Sequence, residues 1–498
     1  MNLSTFLLSH SSRIPDRIAI AHNRGSLTYS ALEQRVRRVA NGLKQGGHSR
    51  RNVAILTGNR VEFVEIFLGA VYAGYVPVPM DPKWSPIEIN AVLRQCEPGI
   101  IFAEEAYAQH IRSSYEPAGR VEIITLSQGN SAGDYDWWVA SFAPEAEPEA
   151  GNELLFIGFT SGTTGVPKGF MRTPLSWLTS FEATREAFRL DMQHCMAPGP
   201  LVHSLSLFAL MQSLYFGATF HLVEQFRADE VLERCTAVPD MILFVVPTMI
   251  ESLLQQAIPR RASIQALISS GGKWSEQSKQ KCREVFGQSR LYEYYGSSEA
   301  SYISYMDVYE TSRSGSVGRP FSGVELSIRN EQGQEVPAGE TGQLYVRIGM
   351  VFLGYYRLGE ETAAVFRDDG WLITGDYMSV DRDGYLYLAG RSKNRMITGG
   401  LNVFPEEVET VLQQLPAIQE VMVVGVPDER WGEKITAVIQ WRGDQRLSLE
   451  EVKDHCRNYL AGYKAPKQLI TVDRFIYTGS GKIARRQMRE YILKEVAK

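Results

Sequence analysis

Short apolar runs alternate with helix-patterned segments through the first three-quarters of the chain, and several runs end in glycine or a hydroxyl-rich turn. They lie at Asn52 to Thr57, Ile123–Leu126, Leu154–Phe159, Met241–Val246, Ala266–Ser269 and Leu291–Tyr295. Runs this short, bounded by turn signals, read as strands buried on both faces. Their alternation with helices predicts an α/β layered fold with ligand loops at the strand ends. One helix is announced by Ser30-Ala31-Leu32-Glu33, a capping box. Leu32, Val36, Val39 and Leu43 follow at helical spacing, and Gly46 can end the helix.

The run at Leu154–Phe159 leads into Thr160-Ser161-Gly162-Thr163-Thr164-Gly165-Val166-Pro167-Lys168-Gly169. A chain leaving a strand into such a turn can aim backbone N–H groups and hydroxyls at one anion, and Lys168 adds a full positive charge. This suits nucleotide phosphates. It is not a Walker A loop, which needs Gly-Lys followed by Ser or Thr. Here Pro167 precedes the lysine and Gly169 follows it. Thr478-Gly479-Ser480-Gly481-Lys482 fails too, because Ile483 stands where the magnesium-binding hydroxyl belongs.

A chain of 498 residues calls for two or more domains. A net charge of −5 leaves no nucleic-acid footprint, although the tail from Lys482 through Arg485, Arg486 and Arg489 is locally basic. Cys96, Cys195, Cys235, Cys282 and Cys456 are scattered, odd in number and form no CxxC pair, which predicts a reducing compartment, no zinc site and no disulfide framework. The most apolar long stretch, Phe63 to Met80, contains Glu65, Pro77 and Pro79 and is not read as a transmembrane segment. No signal-peptide pattern opens the sequence. The expected location is cytoplasmic.

The texture changes after Glu340. Alternating, glycine-punctuated segments such as Gly342-Gln343-Leu344-Tyr345-Val346-Arg347 predict a smaller β-rich region. A polar break near Gly390-Arg391-Ser392-Lys393-Asn394 precedes an αββα-like run: a helix over Pro405 to Leu412, strands over Glu420 to Val426 and Ile435 to Trp441, and a helix opened by the capping box Ser448-Leu449-Glu450-Glu451. The domain boundary is placed there, giving residues 1–392 and 393–498.

Further motifs follow the phosphate loop in order: Pro200-Leu201-Val202-His203, Ser270-Gly271-Gly272, Tyr295-Gly296-Ser297-Ser298-Glu299, Trp371-Leu372-Ile373-Thr374-Gly375-Asp376, Gly390-Arg391, Thr398-Gly399-Gly400 and Gly479-Ser480-Gly481-Lys482-Ile483. Singly most are weak, and a lone histidine such as His203 is more often structural. As one ordered set they closely resemble the adenylate-forming superfamily of acyl-CoA synthetases, aryl-CoA ligases, adenylation domains and beetle luciferases. The resemblance implies an α/β fold with a large N-terminal multi-subdomain region that binds ATP and the acid, and a small mobile α+β C-terminal domain. It implies a two-step reaction in which a carboxylate attacks the α-phosphate of ATP, releasing pyrophosphate, and a thiol then displaces AMP.

The resemblance also implies site roles. Thr160, Ser161, Gly162, Thr163, Thr164, Gly165 and Lys168 match the loop that holds the β- and γ-phosphates. Gly271, Gly272, Tyr295 and Gly296 match the nucleotide-binding segments, with an aromatic face and small residues permitting close approach to adenine. Asp376 matches the acceptor of the ribose hydroxyls, with Arg391 assisting. Glu299 matches the ligand of Mg²⁺, which prefers hard carboxylate oxygen. Lys482, Ser298 and His203 match catalytic positions, Lys482 being the mobile lysine that meets charge developing at the α-phosphate. Lys393 matches the hinge, and Gly399, Gly400 and Trp431 the tunnel for the thiol arm.

Departures from the family's pattern include Thr173-Pro174, Asn394, Tyr477 and Lys273-Trp274, the last placing the shape of the acid pocket in doubt. Amino-acid-activating relatives carry an Asp near Leu201–Leu205; this chain has Val202-His203-Ser204-Leu205-Ser206, and a buried ammonium without a partner is costly. Leu205, Leu207, Phe208 and Tyr302 favour an apolar group. The expected activity is an AMP-forming acid–CoA ligase for a medium- or long-chain fatty acid, with Mg²⁺ as cofactor and ATP and CoA as co-substrates. Alternatives are an aryl-acid ligase, a ligase loading carrier-protein pantetheine, and a non-catalytic nucleotide-binding regulator. A homodimer is left open.

Overall fold

The computed structural model describes residues 5–117, 119–127, 134–148, 153–160, 167–256, 264–272, 274–399, 401–478 and 482–496. Among them stand five sheets. In the largest, of nine strands, Ile18–His22, Thr219–His221, His194–Met196, Met241–Val245, Ile264–Ser269 and Arg290–Ser297 run parallel, and Ser301–Asp307 turns back antiparallel on the last of them. A second sheet is wholly parallel, in the order Val76–Met80, Asn52–Leu56, Ile100–Glu104, Glu122–Leu126. Parallel sheets are covered by helices on both faces. That is why the apolar runs of the sequence are nearly continuous rather than alternating.

The Phe63 to Met80 stretch is an interior helix, Val61–Tyr72, followed by the strand Val76–Met80. Glu65 inside it is paired with Arg35 and accepts the Tyr135 hydroxyl at 2.7 Å. No helix among the described residues is long and apolar enough to cross a membrane. The helix expected after Ser30 begins earlier, at Tyr29. Its cap is Thr28, whose hydroxyl accepts the Ala31 N–H at 3.1 Å, and Glu33 pairs forward with Arg37 instead of closing a box. The box at Ser448 forms as expected.

Beyond the parallel layers, Phe156–Thr160 and Lys168–Arg172 form a hairpin joined by Gly354–Tyr355. Four antiparallel strands, Glu325–Arg329, Gly342–Arg347, Leu372–Val380 and Leu386–Arg391, make the β-rich region. After the short turn Ser392–Asn394 comes a C-terminal sheet centred on Ile418–Asp428 and Gly432–Trp441, with helices Pro405–Leu412 and Leu449–Arg457 and its own apolar core. It rests on the preceding sheet through Phe404 against Tyr377, 4.9 Å between ring centroids, and through Arg395 paired with Glu331 at 3.0 Å.

Candidate active site

The site gathers where strand ends of the large sheet, the phosphate-loop hairpin and the C-terminal sheet meet. Thr160 and Lys168 are register partners across the hairpin, so the two ends of the loop are held together. Ser161, Gly162, Thr163, Thr164, Gly165 and Val166 lie outside the described residues. The Lys168 ammonium stands 5.9 Å over the Tyr355 ring and 4.0 Å from Glu361. The Tyr355 hydroxyl donates to Glu299 Oε1 at 2.9 Å, so one ring spans the loop lysine and the metal-ligand candidate. Tyr355 is fixed by pairing with Phe170 on the same hairpin.

Beneath them lies Arg172, only 2% exposed. Its Nη1 donates to the carbonyls of Ser298 at 3.2 Å and Glu299 at 3.3 Å, and its Nη2 to that of Met350 at 2.7 Å. The Phe352 N–H also donates to the Glu299 carbonyl, at 2.7 Å. Loss of this guanidinium would leave buried carbonyls short of donors, at about 1–3 kcal/mol each. Burial pushes the Arg172 pKa down to about 9, against the opposing pull of Glu299. Arg172 thus pins the Ser298–Glu299 turn to the base of the phosphate hairpin. No local pattern announces this, because an arginine closing a strand reads as an exposed end.

Ser298 Oγ lies 3.4 Å from Ser204 Oγ, at the start of the Ser204–Tyr215 helix. His203 precedes that helix, with Nε2 3.3 Å from Asp81 Oδ2. Burial pushes the Asp81 carboxyl up, but His203 and the Lys83 N–H outweigh it and hold it below its usual range. The turn carrying His203 is stapled by buried Asn59, whose amide donates to the Gly199 and Val223 carbonyls at 2.8 and 2.9 Å and accepts the Leu201 N–H at 2.7 Å. Asp81 and Asn59 were also invisible in the sequence, since their partners lie far away along the chain.

At the candidate nucleotide corner, the Tyr295 hydroxyl donates to Asp376, and Arg391 Nε stands 3.1 Å from the other carboxylate oxygen. Asp376 and Arg391 are register partners on adjacent strands. Burial raises the Asp376 pKa, with Arg391 pulling against it. A side chain on Gly296 would strike the Ser301 carbonyl, and Gly271 has φ +84°, so both positions demand glycine. Gly272 follows in the same exposed turn beyond Ile264–Ser269.

The C-terminal segment brings Lys482 to this cluster. Its pKa is lowered by burial and then by the positive charges of Arg391 and Lys393; Lys393 is itself lowered by burial and Arg391. Arg391, paired with Asp376, therefore bears on both Lys393 and Lys482. Gly399, with φ +57°, donates its N–H to the Trp431 carbonyl at 2.9 Å and lies against the Trp431 ring; Gly400 is outside the described residues. Lys273 is also outside them, whereas the Trp274 side chain is buried. It is 1% exposed in a core cluster with Cys282 and Leu291, its Nε1 donating to Ser278 at 3.0 Å.

A large region of layered sheets followed by a small appended domain is the adenylate-forming fold. Residues 8–356 match the AMP-binding enzyme family and residues 407–482 its C-terminal domain, and the chain belongs to this family. Within it the chain is an AMP-forming acid–CoA ligase. An uncharacterized acyl–CoA ligase of Bacillus subtilis is 33% identical over 485 residues, covering 97% of this chain and 96% of that protein. A Staphylococcus epidermidis protein provisionally named a long chain fatty acid-CoA ligase is 30% identical, covering 97% of each. A feruloyl-CoA synthase of Amycolatopsis is also 30% identical, covering 95% of this chain and 96% of its own. Among solved structures, ATP-bound MatB from Rhodopseudomonas palustris superposes with a TM-score of 0.90 at 27% identity, over 99% of each chain. The o-succinylbenzoate CoA synthetase of Bacillus subtilis with its acyl-adenylate gives 0.85 at 27% over 97% of each.

Proposed function

We propose that the chain activates a carboxylic acid as its acyl-adenylate and passes the acyl group to CoA, with the residues above in the following roles. The phosphate loop from Thr160 to Lys168 holds the β- and γ-phosphates. The acid's carboxylate oxygen attacks the α-phosphorus, the bond to the bridging oxygen breaks, and pyrophosphate leaves. Lys482, with Ser298 nearby, meets the charge that builds on the α-phosphate oxygens. Tyr295 and Gly296 border the adenine, Gly271 and Gly272 leave room for the nucleotide, and Asp376 with Arg391 takes the ribose hydroxyls. His203, steadied by Asp81, faces the acid. In the second step the thiol sulfur attacks the acyl carbon, the mixed-anhydride C–O bond breaks, AMP leaves, and the thiol proton passes to solvent. The observation that carries this reading is the Tyr295–Asp376–Arg391 corner, whose arginine also bears on Lys482 and Lys393.

The residues fit Mg²⁺. That ion is commonly held by one or two carboxylates plus substrate phosphates rather than by a protein cage. Glu299, tied through Tyr355 to the loop lysine, supplies one carboxylate, and no group of three or more His, Cys, Asp or Glu ligands exists among the described residues. When bound, the ion neutralises phosphate charge. For the second step we propose a hinge at Lys393, between domains 1–392 and 393–498, which swings Gly399, Gly400 and Trp431 to the thiol arm. Ile397 and Leu401, about half exposed beside Gly399, give that hairpin an apolar face to dock. On the acid, relatives named for a long-chain fatty acid and for ferulate stand at equal identity. The acid pocket itself must decide.

Glu299→Gln should keep the Tyr355 contact and remove the anionic ligand. The expected result is a several-fold higher Mg²⁺ concentration for half-maximal pyrophosphate release. An unchanged Mg²⁺ dependence would remove Glu299 from the metal role.

A further inference from the structure

Residues 352–356 run between the phosphate-loop hairpin and the turn that carries Glu299, and they are bonded to both. The Phe352 N–H donates to the Glu299 carbonyl at 2.7 Å. The residues after it turn to the hairpin. The Leu353 N–H donates to the Met171 carbonyl at 2.9 Å, Tyr355 pairs with Phe170, and the Tyr356 N–H donates to the Gly169 carbonyl at 2.8 Å. The Glu299 backbone is thus held twice, by Phe352 and by Arg172. Its side chain is held separately from the same segment, by the Tyr355 hydroxyl at 2.9 Å from Oε1.

Tyr355 is itself fixed. Its N–H donates to Thr362 Oγ1 at 2.9 Å, and its ring stands edge-on to that of Phe352, 5.0 Å between centroids. A half-buried ring anchored in this way has little freedom, so its hydroxyl can order a carboxylate that would otherwise turn about its own side chain. A phenylalanine would fill the same space, which leaves the hydroxyl answering to Glu299 rather than to packing. Metal-binding carboxylates are oriented by such second contacts, and losing one typically costs ten- to a hundredfold in metal affinity or activity.

We propose that Tyr355 is a positioning residue for the metal. It touches neither metal nor substrate, and acts by holding one oxygen of Glu299 so that the other is presented to a divalent cation on the nucleotide phosphates. This rests on the reading of Glu299 as metal ligand given above. The ring of Tyr355 has a second neighbour, the Lys168 ammonium 5.9 Å over it, a distance at which cation and ring attract. Hydroxyl and ring therefore serve different groups: the hydroxyl serves the metal ligand, the ring the phosphate-loop lysine.

The test is Mn²⁺ binding, read by electron paramagnetic resonance on the full chain saturated with α,β-methylene ATP. Calorimetry of the same analogue without divalent cation gives the metal-free affinity. Tyr355→Phe removes one atom and keeps the ring. It should weaken Mn²⁺ about tenfold or more and leave the metal-free affinity and the Tm close to those of the unaltered protein. Tyr355→Leu removes the ring as well and should weaken both affinities. In a Glu299→Gln background, Tyr355→Phe should cost nothing further, because the tyrosine acts through Glu299. Unchanged Mn²⁺ affinity in Tyr355→Phe where Glu299→Gln loses it, a further loss in the double variant, or an equal fall in the metal-free affinity would each overturn this inference alone. Undiminished Mn²⁺ affinity in Glu299→Gln would overturn the metal role of Glu299 as well.

Discussion

Lys482→Ala should abolish adenylate formation while largely sparing thioester formation from supplied acyl-adenylate. Losing a charged contact made in the transition state costs on the order of 3 kcal/mol or more, over about a hundredfold in rate. The charges of Arg391 and Lys393 act on this lysine, and in the proposed reaction all three would meet the charge developing on the α-phosphate. Equal damage to both half-reactions would sink the assignment. The same neighbours give a pH signature. Burial, then Arg391 and Lys393, hold the Lys482 pKa below the ordinary lysine value. Its charged form is therefore lost at a lower pH than for a free lysine, and adenylation should decline early on the alkaline side. Thioester formation from supplied adenylate should lack that limb. The stability sign runs the same way: a depressed lysine pKa penalises the folded state while the group is protonated, and the penalty is relieved as pH rises through the folded value.

Lys393→Pro should separate the half-reactions in the opposite sense. Lys393 lies in the short helical turn Ser392–Asn394, whose φ a proline can adopt. The arrangement seen here, with Lys482 at the nucleotide corner, should survive, and adenylation with it. Rotation about the hinge needs φ freedom that proline removes, and it also restricts Ser392 before it. Transfer to CoA should fall about a hundredfold, the scale of a misplaced reacting group. Single-turnover assays of each half-reaction would show it. Normal rates in both would place the hinge elsewhere.

The parts of this molecule that were legible in its sequence are those where local chemistry decides. Met241–Val245 read as a strand because burial on both faces leaves nothing polar in it, and the apolar run Ala266–Ile268 marks the centre of Ile264–Ser269 in the same way. The Ser448 box read correctly because cap and closing glutamate are three residues apart and have no competing partner. At Ser30 the same pattern misled: Thr28 offered an equivalent hydroxyl earlier, and Arg37 drew Glu33 away. Trp274 stood beside a glycine turn and suggested a pocket wall, but its bulk is stabilised in the core between Leu291 and Cys282. Arg172, Tyr355 and Asn59 escaped because each acts on a segment remote in sequence: Arg172 on Ser298, Tyr355 on Glu299, Asn59 on Leu201.

The account's central claim is a two-step reaction through an enzyme-bound acyl-adenylate. It is tested most directly by mass spectrometry of the quenched full-length protein after one turnover with Mg²⁺-ATP and a panel of acids, with and without CoA. The predicted result is pyrophosphate and a retained acyl-adenylate when CoA is absent, converted to AMP and the acyl-CoA when it is added. ATP bound but uncleaved with every acid, or cleavage to ADP and phosphate, would contradict it.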